Sequence, residues 1–152
     1  MDINNFILQT VSKIVAAFKR GNTLFIIGNG GSAAESQHMS AELVGRYKLN
    51  RRALPAIALT TDTPILTAIA NDFGFKYVFS RQLEALGKAG DVLLILTTSG
   101  RSENCNFAKQ TAEIMGIETI QLPFGTKDTA TSQEKHLGYI HKICELVEKE
   151  FA

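Results

Sequence analysis

The sequence predicts a doubly wound α/β fold, a mainly parallel sheet flanked by helices, and three observations carry that expectation. Short apolar runs, above all "TLFIIG" (23–28) and "DVLLILTT" (91–98), read as strands buried on both faces. Segments with helical spacing separate them, and strands alternating with helices pair in parallel through crossovers. Both runs end in polar, glycine-containing loops, "GNGGS" (28–32) and "TTSGRS" (97–102). In this class ligands bind at the carboxyl ends of strands, so the two loops mark the expected site.

Each element has its own signal. Ile7, Val11, Ile14, Val15 and Phe18 recur at helical spacing until Gly21-Asn22 ends that helix. The first strand and its glycine loop lead into a helix expected to run to about Tyr47. "PAIALT" (55–60) reads as a second strand. Thr63-Pro64 then reads as an N-cap with proline at the first helical position. After "ANDFGF" (70–75) a helix runs through "VFSRQLEALG". The strand at 91–98 precedes a helix up to Gly116, "IETIQL" (117–122) is a fourth strand, and a last helix covers about 131–151. No repeat, low-complexity segment or linker divides residues 1–152, which read as a single domain.

Composition narrows the function. A formal charge of +1 gives no general pull toward nucleic acid or an anionic membrane, so any anion binding must be local. No apolar run nears the roughly 20 residues of a membrane span, and the opening segment lacks the pattern of a secretory signal. Cys105 and Cys144 stand alone, outside any CxxC pair. They fit buried thiols in a reducing compartment, and the expected setting is cytoplasmic.

The loops point to phosphate. Gly30 and Gly31 let backbone N–H groups approach a ligand, a helix N-terminus follows, and Ser32 adds a hydroxyl. The spacing matches neither a dinucleotide loop nor a P-loop. Thr97, Thr98, Ser99 and Ser102 repeat the theme at the second strand end, although Ser102 is also explained as an N-cap. His38 and Glu42, four apart on the first of these helices, share a face and can reach one metal or one substrate; Arg46 is expected to extend that face. On the last helix His141 edges an apolar stripe of Leu137, Ile140, Cys144, Val147 and Phe151, whereas Gln133 and His136 lie near its start, where polar residues are ordinary.

Taken together, "GNGGSAAESQHMSAELVGRY", "ALTTDTPILTAIANDFGF", "TTSGRS" and "DTATSQEKH" with the following His141 resemble the phosphoheptose isomerases. These are sugar-isomerase-domain (SIS) proteins that interconvert sedoheptulose 7-phosphate and D-glycero-D-manno-heptose 7-phosphate. The resemblance covers most of residues 5–151 and implies a Rossmann-like three-layer sandwich. It implies phosphate binding by Ser32, Thr97, Ser99 and Ser102, with Thr97 where serine is common, alongside Gly30, Gly31 and Thr98. It places Asn29, Arg46, Asn71, Asp72 and Gln133 around the substrate, and Glu42 and His141 as the acid–base pair. His38, Glu42, Gln133 and His141 match ligands of one Zn²⁺ per subunit, with no organic cofactor. A homotetramer with active sites between subunits is implied as well, its product feeding ADP-heptose for lipopolysaccharide core or another bacterial glycan.

Two features depart from the family. The chain is short before the first strand and around 122–128, where "LPFGTKDT" runs almost straight into the final motif, and Thr131-Ser132 stand where a basic and an apolar residue are common. Gln133 and His141 are eight residues apart, about 12 Å along an ideal helix. Joint ligation therefore asks for an irregular helix or a ligand from a neighbouring subunit. Two rival readings are a scaffold binding the replication initiator protein and a sugar-phosphate sensor. The presence of Glu42, Gln133 and His141 favours the enzyme.

Overall fold

The computed structural model describes residues 2–123 and 128–152. The chain runs α1 (Ile3–Lys19), β1 (Leu24–Gly28), α2 (Gly31–Val44), β2 (Ala56–Ala58), α3 (Thr63–Asp72), a 3₁₀ turn (Phe75–Tyr77), α4 (Ser80–Leu86), β3 (Val92–Leu96), α5 (Glu103–Met115), β4 (Glu118–Gln121) and α6 (Thr129–Lys149). All strand pairs are parallel, in the order β2-β1-β3-β4. The expected doubly wound α/β fold is therefore present. The shortened stretch expected at 122–128 falls largely outside the described residues.

Side-chain alternation along the two central strands divides the core. Leu24 and Ile26 of β1, with Val92, Leu94 and Leu96 of β3, face a cluster built with α1, α2 and α6. Phe25, Ile27, Leu93 and Ile95 face the opposite cluster, closed by α4 and α5. Both strands are buried throughout, which is why they read as unbroken apolar runs. Chain order reverses between β1 and β3, so the loops leaving these strands open onto one crevice, the topological switch point.

Two local expectations change. Asp62, rather than Thr63, caps α3 by accepting a hydrogen bond from Ile65 N at 3.1 Å, which moves Pro64 to the second helical position. The helix expected to reach Tyr47 stops at Val44, and Arg46 lies beyond it, exposed. The cause is Arg51. Its guanidinium donates to the carbonyls of Glu42 (2.7 Å), Leu43 (2.9 Å) and Gly45 (2.9 Å), taking up acceptors that further helix would have used. Arg51 also pairs with Glu148 of α6 at 3.0 Å, both side chains wholly buried. Glu148 accepts from the backbone N–H groups of Tyr47 (2.9 Å), Lys48 (2.7 Å) and Leu49 (2.6 Å). Burial opposes its charge, but these donors and Arg51 outweigh it and hold the carboxyl below its ordinary value.

Candidate active site

At the crevice between β1 and β3 lies a cavity of about 290 Å³ lined by Asn29, Gly30, Gly31, Ser32, Leu96, Thr97, Thr98, Ser102, Thr129 and Gln133. Gly30 has φ +56°, a conformation open to glycine, and a Cβ on Gly31 would collide with the Gln133 amide. The second glycine thus leaves the space in which the Gln133 amide lies against the loop. Ser102 occupies the N-cap position of α5, yet its side chain makes no capping hydrogen bond, so the hydroxyl is left for the cavity. Asn29 and Asn104 exchange hydrogen bonds of 2.9 and 2.8 Å, which lock the two strand-end loops together. Ser99 lies outside the lining, exposed, and its Oγ accepts from Arg101 N at 3.1 Å.

The second cluster joins α2 to α6. His38 Nε2 lies 2.9 Å from Glu42 Oε1 and 3.0 Å from His141 Nε2, with 3.7 Å from His141 Nε2 to the same Glu42 oxygen. A tetrahedral ion with bonds of about 2.0–2.1 Å spaces its ligand atoms about 3.3–3.4 Å apart, close to this triangle. Two imidazole nitrogens and a carboxylate oxygen suit a borderline cation such as zinc. The three residues form a group able to hold a metal ion. Glu42 Oε2 is buried without a hydrogen-bond partner. Burial and the Glu42 carboxylate push the Cys144 thiol up, so a neutral thiol sits beside that carboxylate. The donor set fits the ion that the sequence resemblance implies.

Gln133 lies instead against Gly31, at the cavity. Because α6 runs unbroken from Thr129 to Lys149, the irregular-helix alternative for joint ligation by Gln133 and His141 falls away. Asn71 and Asp72 are exposed at the end of α3, where Asn71 donates to Asp72 at 3.0 Å, and they line neither the cavity nor the metal-type cluster.

Several residues escaped the sequence reading. Glu35, one turn before His38 on α2, has Oε2 buried without a partner, and burial pushes its pKa up to about 7. Its spacing of three and seven from His38 and Glu42 was the available signal. His136, near a helix start where polar residues are ordinary, is in fact part of the interior. It is fully buried, with Nε2 2.8 Å from the Pro123 carbonyl and Nδ1 unpartnered. Asn104, Arg51 and Glu148 carried no periodic signal at all.

A doubly wound sheet with hydroxyl-lined loops at its switch point defines the class, and the family model described as the SIS domain matches residues 3–123. A phosphoheptose isomerase from Citrifermentans bemidjiense is 49% identical, covering 98% of this chain and 86% of the relative. One from Pelobacter propionicus is 46% identical, covering 97% and 87%. Phosphoheptose isomerase GmhA from Neisseria gonorrhoeae has a solved structure similar to this one, with a TM-score of 0.88 at 34% identity over 95% of this chain and 86% of that one. For a phosphoheptose isomerase from Francisella tularensis the TM-score is 0.91 at 30% identity over the same shares. The chain belongs to the phosphoheptose isomerase family of SIS-domain proteins.

Proposed function

We infer that the chain is an aldose–ketose isomerase converting sedoheptulose 7-phosphate to D-glycero-D-manno-heptose 7-phosphate through an enediol. The observation that carries this reading is the convergence of His38, Glu42 and His141 from two helices, in a chain of this family. Isomerisation takes a proton from C1 of the ketose and returns one at C2, while a hydroxyl proton passes between the two oxygens. Glu42 serves as the base, and His141 shuttles the hydroxyl proton. The 7-phosphate sits in the cavity between Gly30–Ser32 and Thr97–Ser102, where neutral hydroxyls and backbone N–H groups receive it. His38, Glu42 and His141, with Gln133 contributed by a neighbouring subunit, would hold one Zn²⁺ per subunit, which when bound supplies a Lewis acid for the developing oxyanion. No organic cofactor is required.

A homotetramer with sites between subunits is part of the proposal. No residue of α3 is buried although its face is apolar, and Phe73 and Phe75 beside it are exposed, which favours a covering partner. Asn71 and Asp72 at the end of that helix would then act in a neighbour's site, as would Arg46. Among the described residues no helix is long and apolar enough to cross a membrane. A cytoplasmic setting suits Cys105 and Cys144, both free and buried.

The test is turnover of sedoheptulose 7-phosphate by the zinc-supplied chain in D₂O, followed by NMR. Deuterium at C2 of an aldoheptose product is the expected result. A folded protein that forms no product and exchanges no proton is not this isomerase.

A further inference from the structure

We propose that Tyr47 is a positioning residue for His141, held in place by the buried Arg51–Glu148 pair; the inference rests on the isomerase reading only for what it says about turnover. The Tyr47 ring stacks on His141, with centroids 5.5 Å apart and planes 26° from parallel. His141 also meets the His38 ring, with centroids 5.1 Å apart and planes tilted 49°, through an Nε2–Nε2 approach of 3.0 Å. The Tyr47 ring therefore backs the face of the imidazole while its Nε2 is directed at His38 and Glu42. His141 is partly exposed, and without a ring against its face its second side-chain torsion is broad and soft.

Tyr47 does not sit on a helix. It follows the end of α2 in a connecting segment, and such segments carry no internal hydrogen-bond ladder of their own. Here the ladder is replaced by one carboxylate. Glu148 accepts from Tyr47, Lys48 and Leu49 N–H in succession and is itself fixed by Arg51 at 3.0 Å. Glu148 lies seven residues after His141 on α6, so the anchor and the imidazole share one rigid helix face. Arg51 also donates to the backbone carbonyl of Glu42 at 2.7 Å. One buried ion pair thus references both members of the acid–base pair, Glu42 through its backbone and His141 through the Tyr47 ring. Displacing a reacting group by about 1 Å can cost on the order of 10²-fold in rate, which is the scale on which such a clamp acts.

The experiment replaces the ring and then restores it. Tyr47→Leu keeps the apolar bulk and the backbone N–H but removes the stack; Tyr47→Phe keeps the stack and removes only the hydroxyl. Tyr47→Leu is expected to lower kcat about 10–100-fold with KM unchanged, and to weaken Zn²⁺ binding, measured by calorimetry on the metal-free protein, by a similar factor. Tyr47→Phe is expected to recover both. In the metal-free wild type, NMR should show a cross-relaxation contact between the two rings. The His141 ring protons, assigned with His141→Gln, should lose aromatic shielding in Tyr47→Leu and regain it in Tyr47→Phe. Absence of the ring–ring contact in the wild type overturns the proposal whether or not the Leu variant folds. So does a folded Tyr47→Leu with wild-type kcat, zinc affinity and His141 resonances, or a kcat loss that Phe does not restore. A wild type that lacks isomerase activity sinks the functional reading alone, because the NMR and zinc measurements still judge the stack.

Discussion

The α2–α6 pair carries a buried carboxylate, Glu148, and two half-buried ones, Glu35 and Glu42, and they are treated in opposite ways. Glu148 has every demand met: three backbone N–H donors and a guanidinium surround it, and its carboxyl is held low. Glu35 and Glu42, nearer the crevice, each keep one oxygen buried with no partner, and burial raises Glu35 to about 7. The contrast shows that the set of partners, more than burial alone, decides the charge. It also separates scaffold from site. The Glu148 carboxylate, with its partners complete, fixes chain geometry, although the Arg51 Nε beside it is buried without one; Glu35 and Glu42 keep a carboxylate oxygen open beside the proposed site.

The sharpest way to break this contrast is to remove one charge from each region. Glu42→Gln should lower kcat by about 10²–10⁴-fold, the usual range for a lost general base, with phosphate-dependent ligand binding and the melting temperature near wild type. Loss of ligand binding together with turnover would make Glu42 chiefly a metal ligand or structural residue. Glu148→Gln should do the reverse in stability, costing about 3–5 kcal/mol in urea titration because Arg51 is left buried and unpaired. The pH dependence has a definite sign. A carboxyl held below its unfolded value of 4.5 stabilises fully above that value, and the contribution disappears as pH falls through the lower folded value. Acid should therefore erase the gap between wild type and Glu148→Gln. A gap that persisted in acid would mean that Glu148 acts by packing rather than charge.

Glu35 provides the opposite sign and a smaller effect. Its folded value lies above the unfolded 4.5, so the folded state holds its proton longer and stability falls as pH rises from about 4.5 to about 7. Glu35→Gln should thus stabilise the metal-free chain, hardly at pH 5 and by about 1–2 kcal/mol at pH 8, after discounting for partial solvent contact. Urea titrations at the two pH values measure it. An equal effect at both would show that Glu35 finds a partner or water in solution.

Much of the fold was legible because its signals are local. The apolar runs at 24–28 and 92–96 are buried on both faces, and their alternation with helical segments points to a parallel sheet between two helical layers. The glycine and hydroxyl loops were legible for the same reason: each is contiguous. What stayed hidden is long-range. Arg51 and Glu148 are 97 positions apart and read singly as solvated charges, yet they end α2 three residues before the expected Tyr47 and send Arg46 off the helix face. The family resemblance places Asn29 at the substrate, and no sequence pattern announces that Asn104 engages it. Histidines illustrate the limit well. The pattern puts His141 at the edge of an apolar stripe and His136 where polar residues are ordinary, yet the first meets His38 and Glu42 and the second is enclosed against Pro123.

The finest test of open against closed capacity lies within the hydroxyl loop. Resemblance to the family assigns both Ser99 and Ser102 to phosphate, and the geometry separates them. The Ser102 hydroxyl lines the cavity without capping α5, whereas Ser99 is outside it and already accepts from Arg101 N. A hydrogen bond to a charged phosphate contributes about 1.5–3 kcal/mol, so Ser102→Ala should raise KM for the sugar phosphate about 10–150-fold. Ser99→Ala should fall below that range, since the bond it removes belongs to the turn. The comparison is made by steady-state kinetics on the two variants side by side. If Ser99→Ala proves the more damaging, the turn at 99–101 must exchange its internal bond for one to the phosphate, and the loop would close on its ligand rather than wait preformed.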